Sequence, residues 1–428
     1  MTAVDTGTPV DAGTDVRTEV RVWLEANWDP QLTVREWWRR LAESGWAYPA
    51  WPVEWFGKGL NSDDSGIVRA AIKEVGALPP PHGIGQTMGA PVILQYGTEE
   101  QKQRWLPKIA TGEEAWCQFF SEPDAGSDLA SLNTRAVRDG DEWVVNGQKV
   151  WNSGTLTADR AVMPMRTDPE LPKHRGISFF IIDVDQPGIE IRPIKQLNGE
   201  AHFNEAFFTD ARVRQADMIG DVNNGWMVTL ATLANERTAY AAGADYGGHQ
   251  ASPGEKGGDL DLTCAEVQRR FREEAKSQAS FPLGDARALA ELAKEFGRLD
   301  EPVLRDRLMK LHCVAEATRL TAIRAKAAAD AGKTPGPESS LGHISGVHLA
   351  RATRDLGLDI IGAQGTLLDD GPHRGAIAMM ALGSLVHGIQ GGSEQIQRNI
   401  VGERVLGLPK EPQVDRDLPF SIARLGKT

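Results

Sequence analysis

Two turns rich in glycine and hydroxyl groups lie close together in the sequence, and each follows a run of residues typical of a β-strand. The first turn is 122–128, after the run 116–121, and the second is 147–153, after the run 143–146. Glycines let the backbone approach a ligand closely, and serine hydroxyls and free N–H groups can then donate hydrogen bonds to it. The second turn also carries Trp151, whose indole can stack on a planar ring.

The two turns together form a recognisable pattern. Residues 121–128 read S-E-P-D-A-G-S-D, and residues 146–153 read N-G-Q-K-V-W-N-S. Either turn alone is typical of an ordinary β-hairpin surface with capping serines, but the two in this order resemble the acyl-CoA dehydrogenase family. Members of that family are flavoproteins that oxidise acyl-CoA thioesters. Residues 97–107 and 210–213 resemble further segments of the same family.

The resemblance implies an FAD site on these turns. The residues that would line the isoalloxazine ring or the nearby phosphates are Gln118, Phe120, Ser121, Ser127, Trp151 and Ser153. The hydroxyls of Ser121 and Ser153 would hydrogen-bond ring heteroatoms, and Ser127 would also contact the acyl-CoA. These residue types suit a flavin, which needs donors at its edge and a flat apolar neighbour. No G-x-G-x-x-G follows a predicted strand, so the sequence gives no support for a Rossmann-type site.

The catalytic base is the decisive question for such an enzyme. Removing the proton alpha to a thioester carbonyl needs a base whose pKa is raised by a dry site, and a carboxylate is the natural candidate. Many family members carry this Glu in a C-terminal signature, but the matching residue here is Gly391, which cannot be a base. A minority carry it just before an Arg on the first helix of the C-terminal domain, where this chain has Glu236 and Arg237. The resemblance therefore implies Glu236 as the base, with Arg237 near the thioester or the CoA chain.

Helical spacing gives Glu236 a defined face. Thr229, Thr232, Glu236 and Tyr240 fall on one line of the helix, because spacings of three and four share a face. A carboxylate beside the apolar stripe that includes Leu233 would be partly desolvated. The alternative is that Glu236 is a surface residue or an ion-paired one.

Glu394, three residues after Gly391, is the rival base. It also has a structural interpretation, since Ser393 can cap the following helix and a carboxylate in the first turn is favoured by the helix dipole. In the family, Ser393 and Gln395 would touch the flavin, and Gly392 would lie at the substrate. The sequence leaves both interpretations of Glu394 open.

Positions near the end of the chain depart from the family. Gly362 lies in a turn that resembles the one meeting the neighbouring subunit's FAD, and Asp359 stands where Gln is common. The Arg-x-x-Phe-Gly element, which often helps to hold the pyrophosphate of the cofactor, is not recognisable. His202 and His387 are predicted to be structural, with no metal site implied.

The elements that must position these residues come in groups along the chain. Residues 1–18 are predicted to be a mobile tail, because no basic start precedes an apolar stretch. Residues 19–115 have helical spacing with a cap at Thr98, residues 116–218 hold short β-rich runs typical of a small barrel or sandwich, and residues 219–428 are again helical. This predicts an α+β fold, and the resemblance implies an N-terminal helical domain, a middle β-barrel and a C-terminal helical bundle.

Individual elements are predicted within these groups. The tryptophans between residues 23 and 55 are predicted to be core residues rather than an aromatic ligand box. The predicted strands are 142–145, 177–183, 189–193 and 204–208. The predicted C-terminal helices are 264–274, 286–296, 301–329, 339–357 and one starting at Ser393, with a loop at 247–258.

Composition excludes several classes of function. The chain has 428 residues and a net charge of −12, which argues against binding of nucleic acid as the main role. It has no apolar run long enough to cross a membrane. Cys117, Cys264 and Cys313 are widely scattered, which suits a reducing cytoplasm and gives no disulfide framework.

The resemblance implies α,β-dehydrogenation of an acyl-CoA. Glu236 would take the α-proton, the β-hydrogen would leave as hydride to flavin N5, and a trans-2-enoyl-CoA would result. The expected electron acceptor is an electron-transferring flavoprotein, and the expected assembly is a homotetramer or dimer of dimers. Two alternatives stay open: an acyl-CoA oxidase that uses O2, and a non-catalytic or cofactor-sharing subunit of a heteromeric pair. Gly391 and Asp359 motivate the second alternative.

Overall fold

The computed structural model describes residues 15–241, 251–277, 281–330, 337–368, 371–413 and 415–425. The chain divides into two compact units, and each has its own hydrophobic core. The first unit comprises Met1–Lys195, Ala201–Glu273 and Gln413–Thr428. The second unit comprises Gln196–Glu200 and Glu274–Pro412.

Helices form the N-terminal part of the first unit. They are α1 (Val16–Asn27), α2 (Val34–Glu43), α3 (Ser62–Val75), α4 (Ala90–Tyr96) and α5 (Glu99–Thr111). Helix α5 begins with a capping box: the Thr98 hydroxyl accepts from the N–H of Gln101 at 3.3 Å, and the Gln101 side chain accepts from the N–H of Thr98 at 2.9 Å. The cap predicted at Thr98 is therefore confirmed.

The tryptophans between residues 23 and 55 are either buried in a core or partly buried against one, as predicted. Trp37, Trp38 and Trp46 are each at most 3% exposed. The indole N–H groups of Trp37 and Trp38 donate to the carbonyls of Leu78 and Pro79, at 2.7 and 2.8 Å. The polar edge of each ring is thus satisfied while its apolar body is buried, which makes these residues core residues and not a ligand box.

A sheet follows in the first unit, and its strands share one core. The strands are β1 (Trp116–Gln118), β2 (Arg135–Asp139), β3 (Glu142–Ser153), β4 (Arg160–Arg166), β5 (Ile177–Asp183), β6 (Ile189–Ile194), β7 (Phe203–Arg214) and β8 (Met218–Ile219). Their order is β6-β7-β3-β2-β4-β5-β8, with β1 parallel to β4. Each of these strands contributes side chains to a single hydrophobic core, as expected of a sheet wrapped into a barrel.

The four predicted strands are confirmed as parts of β3, β5, β6 and β7. Strand β3 extends to Ser153, which pairs with Phe203 of β7. Strands β2, β4 and β8 were not among the predicted strands. In β4 nearly every side chain is buried, so its sequence lacks the alternation of apolar and polar residues by which a half-exposed strand is recognised.

Helices α6 (Gly225–Ala241) and α7 (Cys264–Ser277) follow the sheet. Helix α6 packs against β4, β5 and α4. Thr229 and Thr232 are fully buried on it, and their hydroxyls donate to the carbonyls one turn earlier, each at 2.8 Å. In the predicted loop at 247–258, residues 247–250 lie outside the described residues, and 251–258 form no helix or strand.

The second unit is helical. Its helices are α8 (Ala286–Glu295), α9 (Pro302–Asp330), α10 (Glu338–Ile361), α11 (Ala376–Gly383) and α12 (Glu394–Ile400); a last helix, α13 (Phe420–Leu425), belongs to the first unit. Helices α8, α9, α10 and α11 bury a common core of leucine and isoleucine side chains. The helices predicted from the sequence spacing are confirmed in position.

The order of helices, sheet and helices confirms the predicted α+β class. No helix within the described part of the chain is long and apolar enough to span a membrane. Among the same residues, no cluster of three or more His, Cys, Asp or Glu side chains is arranged to hold a metal ion.

Candidate active site

A buried ion pair joins the two motif turns. Lys149 of the second turn lies 2.9 Å, Nζ to Oε1, from Glu122 of the first, and both side chains are buried. Lys149 also donates to the carbonyl of Phe120 at 2.9 Å. Glu122 accepts from the N–H groups of Asn133 and Thr134, at 2.6 and 2.9 Å. These two charged residues therefore hold the turns side by side.

The charge on Lys149 decides the protonation state of Glu122. Burial by itself would raise the pKa of the Glu122 carboxyl, but the Lys149 ammonium and the hydrogen bonds at Thr134 and Asn133 outweigh it and hold that pKa below its usual value. Burial lowers the pKa of Lys149, and Glu122 opposes this effect. A carboxylate held in this way is a structural anion and a poor base.

Trp151 presents a flat apolar ring to solvent. It is 56% exposed, and its backbone adopts φ +64°, a left-handed conformation that a non-glycine residue keeps only where its surroundings impose it. The ring meets Phe203 edge-on, with 6.0 Å between centroids. Ser153, two residues further, is exposed and opposite Phe203 in the ladder. An exposed ring beside an exposed hydroxyl is the pair of features that a flavin needs.

The first turn is open to solvent at its glycine, whereas the aromatic residue just before the turn is buried. A Cβ built at Gly126 would meet no protein atom within 4 Å, so space for a ligand adjoins this backbone. Ser127 is exposed and Ser121 is partly buried, with the Ser121 carbonyl accepting from Val150 at 2.9 Å. Phe120 is only 5% exposed and packs within the hydrophobic core, so its ring supports the turn from inside.

Helix α6 places Glu236 against β1. Its neighbour Leu233 packs on the core that contains Phe120, and Glu236 is itself partly buried. The Gln118 side chain at the end of β1 donates a hydrogen bond to the Glu236 carboxyl. The side chain of Tyr240, predicted on the same line of the helix, lies outside the described residues.

The surroundings of Glu236 favour its neutral form. Burial raises the pKa of the Glu236 carboxyl above its ordinary value, and the hydrogen bond from Gln118 and the positive charge of Arg237 oppose this effect without cancelling it. A carboxylate with a raised pKa is a stronger base than a solvated one. Arg237 is also partly buried.

Glu394 in the second unit has different surroundings. Arg351 lies 2.8 Å from one of its carboxylate oxygens and Arg398 lies 2.6 Å from the other. Hydrogen bonds from Arg398 and Arg351 hold the pKa of Glu394 below its usual value, against the effect of burial. The predicted cap is confirmed, because the Ser393 hydroxyl accepts from the N–H of Ile396 at 3.5 Å.

The position vacated by the family's usual Glu is a tight glycine turn. Gly391 and Gly392 have φ +65° and +93°, which favour glycine. The Gln397 side chain donates to the carbonyl of Gly391 at 2.9 Å, and a Cβ at Gly392 would lie 2.9 Å from the same amide nitrogen. Gln395 is exposed on the first turn of α12.

The remaining predicted cofactor residues lie near the end of α10. Asp359 is exposed and forms an ion pair with Arg307, and its carbonyl accepts from Arg298. Gly362 is exposed, with φ +60°, directly after the helix. Asp359 is therefore engaged with a cation of its own unit.

The predicted site residues fall in two groups. The first unit holds those on β1, the two turns and α6, and the second unit holds those at the end of α10 and around α12. Sequence reasoning missed two contacts in the first unit, Glu122 with Lys149 and Gln118 with Glu236. Little in the sequence signalled the first, because Glu122 and Lys149 both stand in turns rich in polar residues, where a charge is usually solvated.

Comparison with known proteins places three family models along the chain. "Acyl-CoA dehydrogenase, N-terminal domain" matches residues 14–113, "Acyl-CoA dehydrogenase, middle domain" matches 117–211, and "Acyl-CoA dehydrogenase, C-terminal domain" matches 274–406.

Curated and solved relatives agree with these matches. The acyl-CoA dehydrogenase IpdE1 of Mycolicibacterium smegmatis is 33% identical over 93% of this chain and 98% of its own length. A solved structure described as the Tcur3481-Tcur3483 steroid ACAD is 28% identical, with a TM-score of 0.66 over 95% of this chain and 100% of the other. The ChsE4-ChsE5 complex from Mycobacterium tuberculosis contains a chain that is 30% identical, with a TM-score of 0.62 over 92% of this chain and 97% of that one.

Proposed function

The chain belongs to the acyl-CoA dehydrogenase family, and we propose that it dehydrogenates the α,β bond of an acyl-CoA thioester with Glu236 as the base. The observation that carries this assignment is the raised pKa of a partly buried carboxyl, placed by α6 against the strand that leads into the first motif turn. The carboxylate that acts as base in this step must not be bound by two cations, and it must project from a rigid element. Glu236 meets both conditions.

The residues present fit a flavin of the FAD type. Trp151 offers an exposed flat ring, Ser121 and Ser153 offer hydroxyls, and the open space at Gly126 lets the backbone approach the cofactor. A bound flavin would supply the acceptor for the β-hydrogen, which leaves as hydride. The buried pair of Lys149 and Glu122 fixes the spacing of the two turns that would hold it.

The step that a side chain of this protein carries out is one proton transfer. The α-proton of the thioester passes to a carboxylate oxygen of Glu236, and the product is a trans-2-enoyl-CoA. Burial of Glu236 makes accepting this proton more favourable, and Arg237 beside it would contact the thioester or the CoA chain. Ser127, exposed on the first turn, is a second contact for the acyl-CoA.

Glu394 is the weaker candidate for the base. Its two oxygens are each occupied by a guanidinium, at 2.8 and 2.6 Å. An anion stabilised by two cations loses that stabilisation when it takes a proton, so protonation is less favourable. We therefore assign Glu394 to the structure of α12, beside Gly392, Ser393 and Gln395, which are proposed to contact substrate and flavin.

We propose a ring-bearing acyl-CoA as the substrate class. Its support is that a relative similar over nearly all of this chain is described as a steroid ACAD. An electron-transferring flavoprotein is the proposed electron acceptor, and the cytoplasm is the proposed compartment, since Cys117, Cys264 and Cys313 are free thiols. The alternative electron acceptor is O2, which would make the protein an acyl-CoA oxidase. Peroxide released during turnover would identify that activity.

A cofactor-sharing subunit is the second candidate function. The specific observation in its favour is that Asp359, at a position implied to reach a neighbouring subunit's FAD, is paired with Arg307 of its own unit. Two solved relatives are also described as pairs of different chains. The two assemblies differ in the amount of FAD bound per chain. A homotetramer or dimer of dimers would bind one FAD per chain, whereas this chain purified without its heteromeric partner would bind less than one.

Flavin bleaching tests the proposal. The full chain is purified, its bound FAD is measured by absorbance, and straight-chain and steroid-bearing acyl-CoA thioesters are added without oxygen. We expect the wild type to bleach fastest with a steroid-bearing thioester, and Glu236→Gln to keep its FAD while bleaching is lost. Equal bleaching by Glu236→Gln would remove Glu236 as the base. A colourless chain that refuses added FAD would favour the partner-subunit function.

A further inference from the structure

Gln118 projects from a rigid support beside Glu236. It is the last residue of β1 and lies opposite Val162 of β4 in the parallel ladder. The N–H of the next residue, Phe119, donates to the Val162 carbonyl at 3.0 Å. The backbone on both sides of Gln118 is therefore fixed by the sheet, and side chains on such elements hold their partners more closely than side chains on loops do.

The two ends of the Gln118 amide are unequally used. The nitrogen end donates to the Glu236 carboxyl. The oxygen, Oε1, is buried and has no hydrogen-bond partner among the residues that the structure describes. A buried acceptor left without a donor costs stability and calls for an explanation.

The protonated form of Glu236 is a donor to which Oε1 can bond when the amide turns over and Nε2 takes the other position. A carboxylate only accepts hydrogen bonds, whereas a carboxylic acid also has one O–H to donate. Rotation of the Gln118 amide by half a turn exchanges its nitrogen and its oxygen at the Glu236 carboxyl. The same side chain can then accept from the acid as well as donate to the carboxylate.

We propose that Gln118 is a positioning residue for Glu236, donating through Nε2 to the carboxylate before the α-proton is taken and accepting through Oε1 from the carboxylic acid afterwards. This inference rests on the proposed function of Glu236 as the base. Gln118 thereby keeps the carboxyl in one orientation in both protonation states. The charged group that also acts on Glu236 is Arg237, its neighbour on α6.

The two hydrogen bonds are of unequal strength. A hydrogen bond to a charged carboxylate is roughly twice as strong as one between neutral groups. Loss of the amide therefore destabilises the carboxylate more than the acid, and we expect the pKa of Glu236 to rise further in the variant. Loss of the fixed orientation adds a fall in the rate of proton removal of about 10- to 100-fold.

The test is Gln118→Met, which keeps the length of the side chain and removes the amide. In the full chain, the carboxylic C=O band of Glu236 is followed by infrared spectroscopy from low to high pH and is identified by its absence in Glu236→Gln. We expect Gln118→Met to titrate at a higher pH than the wild type and its acid band to move, because the acid has lost its acceptor. The pH profile of anaerobic flavin bleaching should shift in the same direction.

Gln268→Met is the matched control. Gln268, on α7 and outside both motif turns, also donates through its amide, reaching the carbonyl of Gly76 at 2.9 Å. We expect this variant to leave the Glu236 band and the bleaching profile unchanged. Thermal unfolding of both variants measures any general loss of stability.

The outcomes separate the two proposals. If Gln118→Met leaves the Glu236 band and its titration at wild-type values, Gln118 does not position Glu236, even where Glu236→Gln abolishes bleaching and the proposed function stands. If Glu236→Gln bleaches like the wild type, the proposed base is wrong and the positioning role falls with it. A shift in Gln118→Met equalled by Gln268→Met also overturns the inference.

Discussion

Glu236 and Glu394 are both glutamates on helices, and their surroundings prepare them for opposite chemistry. Glu236 in the first unit meets a neutral amide from Gln118, and burial raises its pKa. Glu394 in the second unit is clamped by Arg351 and Arg398, which hold its pKa below the usual value. A carboxyl serves as a base when desolvation exceeds the stabilisation of its charge, and as an anchor when the balance is reversed.

The position at which many family members carry the base holds no carboxyl in this chain. Gly391 occupies it within a left-handed glycine turn, and the carboxylate three residues later is committed to ion pairs. The first unit provides a partly buried carboxyl in their place. The proposed base is therefore chosen by the groups around each carboxyl and not by its proximity to the signature.

Glu122, paired with Lys149, is a third carboxylate and a buried one, and breaking this pair should have the largest effect on stability. Lys149→Met leaves Glu122 buried without its cation, and we expect the free energy of unfolding to fall by about 3–5 kcal/mol, measured by chemical denaturation. Flavin should be lost with it.

The double variant Glu122→Leu with Lys149→Met is the control for that prediction. It removes both charges, so it should recover much of the lost stability. In the wild type, the lowered pKa of Glu122 contributes stability that is present above its usual pKa and is lost as the pH falls through the folded-state pKa. A Lys149→Met protein as stable as the wild type at neutral pH would show that the pair does not support the turns.

The pH dependence of the rate separates the two carboxyls. With Glu236 as the base, the carboxylate is the working form, so the rate of flavin reduction should rise about tenfold per pH unit and level off at a pKa above the ordinary 4.5. With Glu394 as the base, the rate would level off below 4.5, since its pKa is lowered. Stopped-flow absorbance without oxygen, at saturating acyl-CoA, measures the profile.

The raised pKa of Glu236 also makes the stability of the fold depend on pH. Between the ordinary pKa and the raised one, the folded protein binds more protons at this residue than the unfolded chain does. Stability from this group therefore falls as the pH rises through that window. Glu236→Gln should flatten this part of the stability profile, as measured by thermal unfolding at a series of pH values.

Removing the cations around Glu394 should have a smaller effect, which is measured as the rate of flavin bleaching. Arg351→Met with Arg398→Met should return the pKa of Glu394 toward its usual value, because both guanidiniums lower it. The rate of flavin bleaching should stay within about threefold of the wild type, since the proposed base lies elsewhere. A large gain or loss of rate in this double variant, with FAD content unchanged, would return Glu394 to consideration.

Trp151 should give the smallest change in stability. The ring is 56% exposed, so Trp151→Ala should alter the free energy of unfolding by no more than about 0.5 kcal/mol. Its effect should instead be on flavin, which loses its flat neighbour. FAD absorbance after gel filtration measures the loss, and retention of full FAD would argue against stacking at this position.

Local features of this chain are predictable from sequence because they depend on neighbours. The caps at Thr98 and Ser393 each need a hydroxyl and an N–H three residues later. The burial of Trp37 and Trp38 follows from helical spacing of large apolar residues. These predictions use a handful of adjacent residues and are confirmed.

The non-local part of the candidate site is not predictable in this way. Gln118 and Glu236 are far apart in sequence, and their contact depends on how α6 crosses the sheet. The pairing of Lys149 with Glu122 likewise depends on the register that brings the two turns together. Phe120 illustrates the converse, since its place in a motif does not reveal that its ring points into the core.

The most direct test of the account compares Glu236→Gln with Glu394→Gln in one experiment. The exchange of the α-hydrogen of a bound acyl-CoA with deuterium from the solvent is followed by mass spectrometry, with the FAD content of each variant measured first. We predict that Glu236→Gln slows the exchange by about 10²- to 10⁴-fold and that Glu394→Gln slows it by less than about tenfold. Wild-type exchange in Glu236→Gln together with its loss in Glu394→Gln would contradict the account.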